Sequence, residues 1–183
     1  MKPYTWKEAF ENSLQAARAG IPHAQTFAGY CYETGRGVQS DSKIAMHWYK
    51  KAARNGNTTA IFNLALANDM GKNVRRNPSR AVRLYRQAAA RGDLQAQSNL
   101  AVMLLDGDGV KKEVAEGLRW LRRAAQRGDP KAQYNLARAY LHGDDGLRRN
   151  NRFALRWLSK AAKQKHSKAG RLLKSLRKPR GQG

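Results

Sequence analysis

Arg119, Arg122, Arg123 and Arg127 lie at spacings of three, four and eight, which places them on one face of a helix. The pattern recurs along the chain. Arg83 and Arg86 stand 36 residues before Arg119 and Arg122, and Arg156 and Lys160 stand 37 residues after Arg119 and Arg123. His47, Lys50 and Lys51 hold the same register earlier still. A planar guanidinium recognises carboxylate or phosphate through two parallel hydrogen bonds, so the chemistry on offer is anion recognition. Arg119 with Arg123, and Arg156 with Lys160, are like charges at i, i+4, and each pair repels by a few tenths of a kcal/mol. An acidic partner would relieve that repulsion. The alternative is a charged outer face that only keeps a helical array in solution. It does not account for the near-absence of carboxylates among these positions. Lys168, Arg171, Lys174 and Arg177, followed by Lys178 and Arg180, continue the basic region to the C-terminal end.

A second series is amidic. Asn63, Asn99 and Asn135 are each 36 residues apart, with Phe27 one period earlier. An asparagine amide donates and accepts at once, so it can hold a peptide backbone or a terminal carboxylate. Arg138, three residues beyond Asn135, is near enough on a helix to add a charge. The other reading is that each asparagine bonds the backbone of the next repeat and stabilises the array. Both readings stand at this point.

No set of residues points to catalysis, to a metal or to a cofactor. His23, His47, His142 and His166 occupy different repeat positions and form no ligand spacing. His23 and His142 read as solvated residues flanking helices. Cys31 is the lone cysteine, which excludes an intrachain disulfide, and it reads as a small buried hydrophobe. Asp106, Asp108, Asp144 and Asp145 cluster in two turns, where turn and capping roles outweigh attraction of a divalent cation. "GRGV" and "GDGV" lack the Gly-Lys-Ser/Thr that a phosphate loop requires. No serine–lysine nucleophile motif stands here, and nothing suggests a small-molecule substrate. The expectation is a protein that is not an enzyme.

The elements that carry these residues follow from one period. Ala24, Ala60, Ala96 and Ala132 are spaced by 36 residues. Eleven positions after each comes Gly35, Gly71, Gly107 or Gly143. The pairs Ala52–Ala53, Ala88–Ala89, Ala124–Ala125 and, one residue late, Ala161–Ala162 follow the same beat. Gly56, Gly92 and Gly128 close the first three units, and Lys165 takes that place in the fourth. Each unit reads as two helices. The first, as in "AQYNLARAYLHG", ends on a glycine that tolerates positive φ. The second opens on a cap such as Asp41 or Asn77. The alanine pair admits a neighbouring helix closely, and Trp48–Tyr49, Leu84–Tyr85, Trp120–Leu121 and Trp157–Leu158 fill the space between helices. The ends read as half-units. The expected organisation is one domain over 1–178, with a half-repeat at 1–22, repeats at 23–58, 59–94, 95–130 and 131–167, and a capping helix at 168–178 carrying Leu172, Leu173 and Leu176 on one face. Residues 179–183 read as a frayed tail. The fold class is all-α, with about ten helices and no strand: an α-solenoid of about four helix–turn–helix repeats with half-repeat caps.

These motifs resemble the Sel1-like repeat (SLR) family, a relative of the tetratricopeptide repeats. The first unit carries the family pattern in Ala24, Gly35, Gly37, Val38, Asp41, Ala45, Trp48, Tyr49, Ala52, Ala53 and Gly56, and the third in Gly107, Gly109, Val110, Trp120, Ala124, Ala125 and Gly128. Asn73 and Gly117 depart from it. The resemblance implies a right-handed superhelix with the first helices on the concave face and the second helices outside. It also implies an adaptor or scaffold, as in signalling, secretion and bacterial virulence, or an immunity protein against a delivered toxin. Secreted members often carry a cysteine pair per repeat, and this chain has none.

The balance of 36 Lys and Arg against 13 Asp and Glu gives a net charge of +23, which attracts polyanions. It is graded: residues 1–70 hold 8 basic and 5 acidic, 71–147 hold 15 and 8, and 148–183 hold 13 and none. An acidic protein partner is the leading expectation. Nucleic acid held by phosphate contacts is the alternative, with few aromatics near the stripe for base stacking and no standard nucleic-acid motif. A membrane surface fits less well, because no helix pairs the basic face with an exposed apolar one. The N-terminus has no apolar signal-peptide core and no run approaches a membrane span, so a cytoplasmic location is expected.

Overall fold

The computed structural model describes residues 5–177, and Lys178, Arg180 and the 179–183 tail lie outside the described residues. Ten α-helices and no strand occur among them: α1 (Trp6–Arg18), α2 (Pro22–Thr34), α3 (Ser42–Arg54), α4 (Thr58–Met70), α5 (Pro78–Ala90), α6 (Leu94–Asp106), α7 (Val114–Gln126), α8 (Pro130–His142), α9 (Asn151–Lys163) and α10 (Ser167–Arg177). The chain is an all-α repeat solenoid. It falls into two compact units, one up to Asp93 and one from Leu94.

Local chemistry sets the helix ends. Gly35, Gly71 and Gly143 take left-handed φ of 72°, 70° and 77° and stop α2, α4 and α8. The next helices start on side-chain caps: the N–H of Ile44 donates to Asp41, that of Arg80 to Asn77 and that of Phe153 to Asn150. The caps are also tied backward. The N–H of Asp41 donates to Tyr32 O and that of Asn77 to Asn68 O, which fixes the path of each turn. Lys165 adopts φ 61°, the left-handed value that Gly56, Gly92 and Gly128 adopt at the same repeat position.

In the first unit, Phe10, Ala17, Ala28, Cys31 and Trp48 form one buried cluster. Met46, Tyr49, Ala52, Ala60, Leu64 and Ala67 form another. Cys31 is fully buried, as its place on an apolar helix predicts. Gln25 staples successive repeats. Its amide donates to Ala17 O at 3.2 Å, and its oxygen accepts from Asn55 Nδ2 at 3.2 Å. The second unit repeats the device. Gln133 Nε2 donates to Ala125 O at 3.1 Å, and Gln164 Nε2 donates to Gln133 Oε1 at 3.0 Å. These bonds spare Gln25 and Gln133 the cost of an unpaired buried amide, about 1–3 kcal/mol.

The core of the second unit runs from Ala101, Leu105, Leu118 and Leu121 to Ala132 and Leu136, then through Ala137, Leu158, Ala161, Ala169 and Leu173. The departure at Gly117 has a steric cause. A Cβ there would lie 2.8 Å from Leu105 Cγ and 3.2 Å from Ala101 O. Gly29 has a parallel reason, since its Cβ would fall 2.7 Å from the Tyr49 ring. On α10, Leu173 is buried and Leu172 half-buried, whereas Leu176 is 45% exposed, so the three leucines do not share one covered face. Lys174 is exposed at the place where Ala65, Ala101 and Ala137 are fully buried by the following helix.

Candidate functional site

The second helices of each repeat present the basic positions. On α7 and α9, Arg119, Arg122, Arg123, Arg156 and Lys160 are all exposed, as is Arg127 at the C-terminal cap of α7, while Ala124, Ala125 and Ala161 on the other face are buried. Arg83 on α5 is exposed and Arg86 is half-buried. Lys168, Arg171 and Lys174 are exposed on α10, and Arg177 ends that helix. Arg119, Arg122, Arg123, Arg156 and Lys160 make no ion pair with another described residue. Carboxylates are engaged elsewhere: Glu33 holds Lys72 at 2.8 Å and Asp145 holds Lys112 at 3.1 Å.

One relationship on these faces escaped sequence reasoning. The tryptophans do serve as packing residues, with Trp48 buried and Trp120 and Trp157 half-buried against the cores. Each also carries a cation on its ring. Lys51 lies 5.2 Å from the Trp48 centroid, Arg123 5.5 Å from Trp120 and Lys160 4.6 Å from Trp157. Such a stack is worth about 0.5–1 kcal/mol at an exposed site, and it narrows the cation's positions. The signal was available as a cation three residues after each tryptophan. The second repeat has Leu84 and Gln87 at those places, so ring and cation are lost together.

The asparagines have different surroundings. Asn63 borders a cavity with Glu33, Tyr49 and Lys72. Asn99 accepts from Lys131 Nζ at 2.7 Å. Asn135 and Arg138 border a cavity of about 190 Å³ with Asp106, Asp144 and Asp145. Sequence reasoning weighed divalent-cation attraction for those aspartates and favoured turn and capping roles; their place beside Asn135 follows from the fold, which brings the end of α6 and the turn after α8 together there. His23 is exposed in the first turn of α2, with Nδ1 3.2 Å from Asn57 Nδ2, and His142 is the exposed last residue of α8. Both therefore lie within helix ends rather than in loops. Phe27 stacks on Trp6 at 6.3 Å, and the Arg36 guanidinium lies 4.5 Å over the Trp6 ring.

Comparison with known proteins decides the family. The Sel1 repeat model matches residues 22–57, 58–93, 94–129 and 130–166, one residue ahead of the frame read from the alanines. The chain belongs to the Sel1 repeat family. Among solved structures it is similar to c5321, a protective antigen of uropathogenic Escherichia coli strains displaying an SLR fold. That likeness has a TM-score of 0.82 and 38% identity, over 87% of this chain and 34% of that one. It is also similar to a Sel1 repeat protein from Oxalobacter formigenes, with a TM-score of 0.81 and 29% identity over 95% of this chain and 50% of that one. A curated relative, the chitin synthase regulator SKT5 of Saccharomyces cerevisiae, is 47% identical over 57 residues, 31% of this chain and 8% of its own length. The chain thus spans half or less of each of these relatives. This Sel1-repeat scaffold has no helix, among its described residues, long and apolar enough to cross a membrane.

Proposed function

We propose that this Sel1 repeat chain is a non-enzymatic protein-binding scaffold whose second-helix faces recognise an acidic partner protein. The observation that carries the reading is on α7 and α9: five exposed cations, Arg119, Arg122, Arg123, Arg156 and Lys160, without an ion-pair partner among the described residues. Charges kept in one sign repel, and a partner's carboxylates remove that repulsion while gaining bidentate bonds to arginine. Steering by a net charge of +23 raises the encounter rate with an acidic surface. Arg123 and Lys160 cover the faces of Trp120 and Trp157, where a nucleobase would have to stack, which favours protein over nucleic acid. Sequestration of an acidic effector, as an immunity protein does, is one form of this function.

The test compares labelled poly-L-glutamate, duplex DNA and single-stranded RNA by fluorescence anisotropy at about 0.15 M salt, where the Debye length is about 8 Å. Poly-L-glutamate binding that disappears in Arg119→Glu/Arg122→Glu/Arg123→Glu, with the helical circular-dichroism signal intact, supports the reading. Nucleic acid binding that outcompetes poly-L-glutamate, or binding unchanged by the reversal, would sink it.

A further inference from the structure

One depression occurs in both units, and its chemistry changes between them. In the first it is a cavity of about 170 Å³ bordered by Glu33, Tyr49, Asn63 and Lys72. In the second it is the cavity of about 190 Å³ bordered by Leu105, Leu121, Asn135 and Asp144. The four positions correspond one to one, two repeats apart (33 to 105, 49 to 121, 63 to 135, 72 to 144).

In the first unit the polar groups satisfy one another. The Tyr49 hydroxyl donates to Glu33 Oε2 at 2.8 Å, and Lys72 Nζ donates to Glu33 Oε1 at 2.8 Å. Asn63 borders the same cavity beside that hydroxyl. In the second unit, Leu121 and Leu105 stand where the hydroxyl and the carboxylate stood, and both are buried in the core. These two positions are therefore apolar. Asn135, deprived of a hydroxyl, has a side chain that bonds to no other described residue. The cation at Lys72 has become the carboxylate of Asp144, and Asp106 borders the same cavity. Neither of these two aspartates is in an ion pair with a described residue. Asp145 is held by Lys112 at 3.1 Å.

We propose that this cavity is a second binding site, one that takes the lysine or arginine side chain of a partner peptide or protein. The side chain's methylenes would lie on Leu105 and Leu121, its cation between Asp106 and Asp144, and the Asn135 amide would bond the partner's backbone. Apolar stem and charged head are the two halves of a basic side chain, and this cavity offers a surface for each. Arg138 also borders the cavity and repels a cation from its own side. The chain's net positive charge does not forbid the site. At physiological salt, exposed charges more than about 8 Å away are largely screened, whereas the aspartates act at contact. The proposal is independent of the acidic-partner reading, since it uses the opposite charge and other residues. It also reverses the carboxylate role considered above for Asn135 and Arg138.

Backbone amide NMR of the full chain tests it at about 0.15 M salt. The probes are acetyl-Ala-Arg-Ala-amide and acetyl-Ala-Glu-Ala-amide. The arginine peptide is expected to shift the signals of Leu105, Asn135 and Asp144, and the glutamate peptide to leave them in place. Asp106→Asn with Asp144→Asn should weaken the arginine peptide about tenfold, the combined effect of two exposed ion pairs. Asp144→Lys, which restores the first unit's cation at that position, should abolish binding. Normal helical circular dichroism in each variant keeps the result about the site. Failure of the arginine peptide to shift these signals, equal shifts from the glutamate peptide, or undiminished binding in the double Asp→Asn variant would each overturn the proposal. The anion tests on α7 are unaffected by any of these outcomes, so the two readings fail separately.

Discussion

The hydroxyl of Tyr49 donates to Glu33 Oε2 at 2.8 Å, across the gap between the second helix of a repeat and the helix before it. Tyr85 and Asp69 repeat the bond at 3.2 Å. At the same two places the third repeat has Leu121 and Leu105, and the fourth has Leu158 and Leu141, packed in apolar clusters. Either both partners are polar or both are apolar, because a buried donor facing a leucine would forfeit its hydration. A double-mutant cycle reads this directly. Tyr49→Leu and Glu33→Leu should each destabilise, and the double variant should cost less than their sum by about 0.5–3 kcal/mol in urea unfolding. Additive costs would show that the bond contributes nothing beyond its parts.

Tyr49 also makes stability depend on pH at the alkaline end. Burial raises its pKa first, and the bond to Glu33 and that carboxylate's charge raise it further, against a smaller opposing effect of Asn63. A raised pKa means the fold holds the proton more tightly than the unfolded chain does. The stabilisation is complete below the unfolded value of about 10 and is lost as pH rises past it. Urea midpoints measured up to about pH 11 should therefore fall more steeply for the parent chain than for Tyr49→Phe. Parallel slopes would remove Tyr49 as the cause.

Lys165 bears a strained backbone at φ 61° where three other repeats have glycine. Left-handed backbone costs a residue with a side chain about 1–2 kcal/mol, so Lys165→Gly should raise stability, with a gain of about 1 kcal/mol. Gly128→Ala, at φ 100°, should lower it. Thermal unfolding followed at the helical band checks both signs.

Gly117→Ala sets two effects against each other. Helix propensity favours alanine by about 1 kcal/mol. The added Cβ would meet Leu105 Cγ at 2.8 Å and Ala101 O at 3.2 Å, and overpacking of this kind costs about 1–3 kcal/mol. The expected net result is destabilisation, and the cost of Gly117→Ala should be smaller when measured on a Leu105→Ala background. A more stable single variant would mean that Leu105 moves aside at little cost.

Salt should stabilise this chain. The last 36 residues carry 13 basic and no acidic side chains, and the ion pairs at Lys72 and Lys112 are surface pairs of small worth. Screening therefore weakens more repulsion than attraction. The thermal midpoint should climb between about 0.01 and 0.5 M sodium chloride, as the Debye length falls from about 30 Å to a few ångströms. A falling midpoint would mean that attractive pairs dominate.

The sequence by itself determined the helices, their period and their ends. Those depend on local rules: glycines at 35, 71 and 143 that accept left-handed φ, and caps at 41, 77 and 150 that reach the third residue on. It also marked which face of α7 meets solvent, because a helix face follows from spacing alone. The basic stripe was legible for that reason. The tryptophan–cation stacks were legible in principle, as an i, i+3 spacing, and were missed because the rings were assigned to packing alone. The cavity beside Asn135 was not legible. Asp106 ends one helix and Asp144 follows the next but one, and nothing in their local sequence says that they border one cavity. Only the tertiary structure decided that, by stacking first helices so that residues a repeat apart become neighbours. It decided likewise what each asparagine of one series meets: Asn63 lies beside the Tyr49 hydroxyl, and Asn135 beside Leu121. Identical residues at identical repeat positions thus acquire different chemistry, because hydrogen bonding is settled by contact across helices and not by register along one.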